Sequence, residues 1–291
     1  KKKIRMAKIY TALGLMSGTS MDGVDASIIK SNGEDKYEVV FDQYFKYEDE
    51  IYRELVEVRN KIHSSRDLVI NSIILGDLER KITLFHANLC KKIITNYSLN
   101  IDLIGFHGQT IFHNANEKVS KQLGDANLLS SLLKKKVIYN FRENDMINGG
   151  QGAPLAPIFH QLLVNQNKIK PPVCILNIGG IANITIVSSK DFNNLESYDI
   201  GPGNCLLDEW VRKNSEERFD ENGELAKAGK TDEIILNQAI DNFDSIKNSV
   251  DLSFDVKDFD LNFVRGLSLE DGLSTLTDFT ACIINQAIIN F

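Results

Sequence analysis

The sequence predicts an α/β protein built from two related halves, and three observations point there. β-Branched and aromatic runs separated by glycine- or asparagine-containing turns form a three-strand meander at residues 8–47 and again at residues 173–200. Runs with helical spacing follow each meander. The chain is 291 residues long, and beyond about 250 residues a single core usually divides.

The elements follow in order. Strands are expected at 8–16, 24–30 and 37–47. Helices follow at about 50–61 and 70–97, where Ile73, Ile74, Asp77, Leu78, Ile82, Phe85 and Leu89 recur every three or four residues. A short apolar strand at 101–106, a helix at 126–134 and a strand at 137–141 come next. The glycine-rich stretch 149–154 then opens a helix to about residue 165, with Pro154 near its first turn. Lys168-Ile169-Lys170-Pro171-Pro172 reads as a linker, giving domains 1–168 and 169–291.

The second half restarts with strands at 173–178, 182–188 and 195–200 and a helix at 204–213. Each half is thus expected to hold a mixed sheet that opens with an antiparallel meander and is flanked by helices. The first half continues with alternating helices and strands, whereas the second continues with helices alone. The last of these carries Leu276, Phe279, Ile283 and Ala287 on one face and has no glycine cap. By that comparison the second domain is expected to be truncated at its C-terminus, short of two strands.

Composition narrows the class. The chain is 43% hydrophobic and 25% charged, ordinary for a globular protein. No apolar run approaches the roughly 20 residues that span a bilayer, and the basic start has no signal-peptide pattern behind it. A cytoplasmic location and no membrane partner are expected. The net charge of −7 argues against a nucleic-acid partner, since such binding rests on clustered Lys and Arg. Lys134-Lys135-Lys136 reads as a solvated helix end. Cys90, Cys174, Cys205 and Cys282 lie far apart with no C-x-x-C spacing, so they read as buried thiols rather than a zinc site or a disulfide framework.

Five segments carry candidate chemistry. Gly18-Thr19-Ser20-Met21-Asp22-Gly23-Val24-Asp25 has the glycine spacing of a phosphate loop, but Val24-Asp25 replaces the Lys-Ser/Thr that completes one. It is either a turn that offers N–H groups and hydroxyls to phosphate oxygens or an ordinary Asp-Gly hairpin. Gly179-Gly180 is the matching turn of the second half. Without a Cβ it lets a ligand approach the backbone, or it is a plain hairpin. The two turns, facing each other, would clamp a polyphosphate.

Asp199, ahead of Gly201-Pro202-Gly203 and a helix, either acts as a general base or shapes that turn. Asp208, one turn on, is either a supporting or metal-binding carboxylate or an exposed helical one. Phe106-His107-Gly108-Gln109-Thr110, with Gln122 to Asp125 nearby, either binds a sugar or is held by its own neighbours. Arg142, beside the glycine-rich stretch 149–154, either grips an anion as a fork or pairs with a neighbouring acid. His63, His86 and His160 fall on helix patterns and read as packing or surface residues. No H-E-x-x-H, G-x-S-x-G or G-x-G-x-x-G motif is present, so metalloprotease, serine hydrolase and dinucleotide readings lose support.

Together, residues 14–25, 105–110, 149–154, 176–183 and 199–204 resemble the anhydro-N-acetylmuramic acid kinase family. The resemblance runs from about residue 11 to the end of the sequence. It implies the actin-like ATPase fold, ATP and Mg²⁺ as cofactors, and 1,6-anhydro-N-acetylmuramic acid as the substrate. Asp199 matches the catalytic aspartate that activates water. Gly18, Thr19, Ser20, Met21, Asp22, Gly23, Val24 and Asp25 match the nucleotide-phosphate segment, with Gly179 and Gly180 as the second phosphate hairpin. By position Ser20, Thr110 and Asn204 are expected sugar contacts. Metal ligands are not implied, and a homodimer is one arrangement the sequence allows. Family members continue past residue 291 with a glycine-rich segment that holds the adenosine. Two other readings stand beside this one: a kinase of the same fold for another amino sugar, and a catalytically silent sugar- or nucleotide-binding fragment.

Overall fold

The structure, a computed structural model, describes residues 8–191, 194–247, 254 and 256–289. The chain forms two compact units, Lys1–Leu155 and Ala156–Phe291.

In the first unit, β1 (Tyr10–Ser17), β2 (Gly23–Ser31) and β3 (Tyr37–Lys46) form the expected meander. Alternation builds it: Leu13 and Leu15 of β1 and Val24, Ala26 and Ile28 of β2 are buried, while the residues between them are more exposed. The helices α1 (Asp49–Lys61), α2 (Ser65–Ile70) and α3 (Ser72–Tyr97) follow. Leu55 of α1 and Leu78 and Ile82 of α3 complete the core against those strands.

Then come β4 (Leu103–Asn114), β5 (Val119–Leu123), α4 (Ala126–Leu133), β6 (Lys136–Ile138) and α5 (Glu143–Ile147). The sheet order is β3-β2-β1-β4-β5, with β6 also on β4. The first part of β4 pairs in parallel with β1 and β6, and its second part turns back antiparallel to β5. Two expectations change here. β4 runs well past residue 106, because Gln109 and Ile111 are buried and a bulge between Thr110 and Phe112 keeps the ladder going. The strand β5 and the short helices α2 and α5 have no counterpart in the sequence reading. α2 starts on a local cap, in which Ser64 N and Oγ donate to Asp67 Oδ2 at 2.9 and 3.0 Å.

The second unit begins with α6 (Pro157–Gln166), followed by β7 (Val173–Ile178), β8 (Ile181–Val187) and β9 (Leu195–Pro202) in an antiparallel sheet. The division falls at Leu155/Ala156 rather than at residue 168, because α6 belongs to this sheet. His160 Nδ1 bonds Thr185 Oγ1 at 2.8 Å, Gln161 Nε2 donates to Ser189 O at 3.1 Å, and Val164 is fully buried. The helices α7 (Cys205–Asn214), α8 (Glu224–Ala228), α9 (Glu233–Lys247) and α10 (Leu269–Ile289) follow. α10 buries the expected face, with Leu276, Phe279, Ile283 and Ala287 all under 6% exposed. Gly272 of α10 lies flat against the Trp210 indole, whose Nε1 donates to Leu269 O at 3.0 Å. No helix among the described residues is long and apolar enough to cross a membrane.

Candidate functional site

The turn between β1 and β2 is anchored by its carbonyls. Gly18 O accepts from Gln109 Nε2 at 2.8 Å, Thr19 O from Arg59 Nη1 at 3.0 Å, and Asp22 O from Tyr47 N at 2.8 Å. Below the turn, Ser17 Oγ and the Tyr47 hydroxyl share a buried bond of 2.9 Å, and burial raises the Tyr47 pKa. Thr19 and Ser20 stay exposed, and Ser20 Oγ donates to Asp22 Oδ1 at 2.6 Å.

The left-handed residue in this turn is Met21, at φ 59° with its side chain buried, and not a glycine. Gly18 has no positive φ, and a Cβ there would meet only Ser20 Oγ at 3.6 Å. Gly23 is the glycine the fold requires, because a Cβ would collide with Phe45 O and the Tyr44 ring. On β2, the pKa of Asp25 is raised, first by desolvation and then by repulsion from Asp22 and Asp42.

Still in the first unit, His107 Nδ1 lies 2.8 Å from Gly108 O, and His107 Nε2 receives Arg142 Nη2 at 3.0 Å. Burial and the adjacent guanidinium push the His107 pKa down to about 4, so the ring is neutral, with Nδ1–H donating. Arg142 Nη1 donates to Gly152 O at 2.9 Å, and Asp145 Oδ2 accepts from Gly152 N at 2.7 Å. The Arg142 fork is therefore committed to His107 and to the glycine-rich stretch, rather than to an acid. One face of Arg142 lines a pocket of about 330 Å³ together with Ser120, Gln122 and Asn140. Thr110 sits behind that wall, with its Oγ1 accepting from Gln122 Nε2 at 3.3 Å.

In the second unit the Gly179-Gly180 turn points its carbonyls at the start of α7. Gly179 O accepts from Asn204 N at 2.8 Å, and Gly180 O from Gly203 N and Cys205 N at 3.0 and 3.1 Å. Two of the helix's first N–H groups are thus paired within the fold, which was not expected. The Gly201-Pro202 pair is not a turn but the end of β9.

Asp199 lies inside β9 opposite Asn183. Its Oδ2 accepts from Phe254 N at 3.0 Å. Burial raises its pKa, and that hydrogen bond pulls partly the other way. Phe254 carries no sequence signal for this contact. The Cys90 and Cys205 thiols are buried and pushed up to about 12, consistent with inert packing residues. Among the described residues no group of three His, Cys, Asp or Glu side chains is placed to hold a metal ion.

A protein-family model described as anhydro-N-acetylmuramic acid kinase matches residues 10–291. The chain belongs to the anhydro-N-acetylmuramic acid kinase family. The anhydro-N-acetylmuramic acid kinase of Pelagibacter ubique (strain HTCC1062) is 67% identical over 284 residues, covering 98% of this chain and 76% of that protein. Those of Methylobacterium nodulans and Agrobacterium fabrum are 35% and 34% identical, over 95% and 96% of this chain and 77% and 75% of theirs. The family match spans both glycine turns, the His107–Arg142 pair and Asp199.

Proposed function

We propose that this chain carries out the reaction named by its family on 1,6-anhydro-N-acetylmuramic acid. Water attacks the anomeric carbon and the C1–O6 bridge bond breaks. O6 takes the γ-phosphoryl group of ATP, giving N-acetylmuramic acid 6-phosphate and ADP.

The observation that carries this reading is Asp199. A carboxylate with a raised pKa is a better proton acceptor than a solvated one, and such shifts collect where acid–base chemistry is done. The bond from Phe254 N fixes the carboxyl through Oδ2 and leaves Oδ1 to take the proton of the attacking water. The turn at residues 18–25 binds the nucleotide phosphates through backbone N–H groups and hydroxyls, with Gly179-Gly180 as the second phosphate hairpin. The pocket walled by Ser120, Gln122 and Arg142 suits a polar, anionic sugar, with Thr110 supporting Gln122 and with Ser20 and Asn204 as further contacts.

Mg²⁺ bound to ATP offsets phosphate charge as the phosphoryl group transfers. Such an ion takes most of its ligands from phosphates and water, so it needs no three-carboxylate cage. Asp22 and Asp25 are the carboxylates a cation would relieve, the Asp25 pKa being raised by desolvation first and then by repulsion from Asp22 and Asp42. The units are read as the two halves of an actin-like ATPase, each containing the same meander, in a cytoplasmic enzyme.

The test is turnover with ATP, Mg²⁺ and the anhydro sugar in ¹⁸O-water. The expected result is one label at C1 and a phosphate at O6. Preference for plain N-acetylmuramic acid as the acceptor would overturn the assignment of substrate.

A further inference from the structure

We propose that Gln109 is the positioning residue of the nucleotide-phosphate turn, holding the Gly18 carbonyl so that the next N–H groups face a phosphate. This rests on the reading of residues 18–25 as that turn.

Gln109 sits on β4, beside β1 in the sheet, and is fully buried. Its Nε2 donates to Gly18 O at 2.8 Å and to Thr110 O at 3.3 Å. Both partners are acceptors, which fixes which end of the amide is which. The other end, Oε1, is buried with no hydrogen-bond partner. An orphaned buried acceptor is unfavourable, and an apolar side chain of similar shape would avoid it. The two bonds made by Nε2 and the orphaned Oε1 work against each other, so glutamine contributes little net stability here.

The geometry of the turn supplies a reason for glutamine. A trans peptide is planar, so each N–H points opposite to the preceding C=O. With Gly18 O tied to Gln109 and Thr19 O tied to Arg59, the Thr19 N–H is turned away from Gln109 and the Ser20 N–H away from Arg59. Successive N–H donors not turned toward the groups that hold their carbonyls are what a phosphate oxygen needs. Fixing them before the ligand arrives removes an ordering cost from binding. In the second turn the carbonyls are held by backbone alone, so Gln109 is specific to the first.

The experiment compares Gln109→Met, Gln109→Glu and Gly18→Val in the full chain, with ATP affinity, KM for the sugar and thermal stability read for each. Methionine keeps the length and apolar stem but has no donor. It should weaken ATP binding about fivefold to tenfold, the size expected for one lost hydrogen bond, with the sugar KM unchanged and thermal stability little changed. Glutamate sets an acceptor against two carbonyls and should weaken ATP binding further. Reduced thermal stability with normal ATP affinity in Gln109→Met, or equal losses for ATP and sugar, would overturn the proposal. Gly18→Val separates the two readings, since its Cβ fits the fold. If it weakens ATP binding while Gln109→Met does not, the turn stands and Gln109 does not. Where neither variant changes ATP affinity, the turn is not a phosphate site and the proposal falls with it.

Discussion

The two glycine turns occupy the same place in their meanders and are held in opposite ways. In the first, the Gly18 and Thr19 carbonyls are drawn to side chains from β4 and α1, through Gln109 and Arg59, beside backbone bonds from Met21 N to Gly18 O and from Tyr47 N to Asp22 O. In the second, the carbonyls of Gly179 and Gly180 are satisfied by the backbone at the start of α7. A turn held by side chains can be altered one anchor at a time, whereas a turn held by backbone fails with the helix it caps. The same split appears in the electrostatics. The first unit holds two imidazoles that are pushed down to about 4, whereas the second holds a carboxyl that resists ionisation as well as His160, whose pKa burial also lowers. Substitutions in the first turn should therefore act chiefly on ligand binding, and those in the second on folding as well as on ligand binding, with Asp199 as the exception that acts on rate.

Asp199→Asn should produce the largest effect. Asparagine still accepts the bond from Phe254 N but cannot take a proton, and loss of a general base costs about 10²–10⁴ in rate. ATP affinity should change little. The folded-state pKa of Asp199 lies above the unfolded value of 3.8. Its stabilising contribution is therefore complete below 3.8 and is lost as pH rises through the shifted value. At neutral pH the variant should consequently be slightly more stable than the parent while nearly inactive. Near-normal kcat would remove Asp199 from the role of base.

Acid should separate the units next. His86 is wholly buried, with Nδ1 on Ile82 O at 2.8 Å and Nε2 without a partner, and burial holds its pKa down to about 4. His107 is held at about 4 by burial and Arg142. Both lie below the unfolded value of 6.5, so the stability they contribute is complete above 6.5 and is lost as pH falls toward 4. The loss is on the order of 3 kcal/mol per histidine. Hydrogen exchange at pH 7 and pH 4.5 should show the first unit opening sooner in acid, with no matching loss around Asp199. NMR titration of either imidazole near 6.5 would defeat this.

Those histidines also show where sequence stops being legible. The helical spacing around His86 marks a buried face, but nothing local reveals that Nε2 has no partner there. The meanders were readable because their alternation and glycine turns are local signals. β5, Val-Ser-Lys-Gln-Leu, was not, since its polar residues make a strand only against the bulged end of β4. The boundary at residue 168 failed for a related reason. The charged Pro-Pro stretch looks like a linker, but α6 owes its place to His160 and Gln161, which bond Thr185 and Ser189 more than twenty residues away. Asp199 and both turns are singled out as candidates by residue type and order. Tyr47, Arg59 and Phe254, which hold them, are not, because an anchor across the sheet or from a distant loop has no sequence period.

Gly203→Ala tests the backbone-held turn. A Cβ at Gly203 would collide with Gly179 O and crowd Ala182 N at 3.2 Å. Both are backbone, so neither can swing aside, and forced overpacking of this kind costs about 1–3 kcal/mol. The expected result is a lower denaturation midpoint, with any loss of ATP affinity in the folded fraction following from displacement of the Gly179-Gly180 hairpin. A midpoint equal to the parent's would mean that the second turn gives way, and the contrast with the first would weaken.

Arg59→Ala should have the smallest effect and sharpens the contrast most. Arg59 reaches Thr19 O from an exposed position on α1, where water replaces a lost donor at little cost. Gln109 reaches Gly18 O from the interior, where no solvent stands in. If side-chain anchoring aims the turn, both variants should weaken ATP binding, Arg59→Ala by only about twofold to threefold and Gln109→Met by more. Neither should alter the KM for the sugar. An Arg59→Ala effect larger than that of Gln109→Met would reverse the ranking. The turn would then answer to the charge of the guanidinium rather than to the direction of its carbonyls, and raised salt would weaken ATP binding in the parent more than in Arg59→Ala.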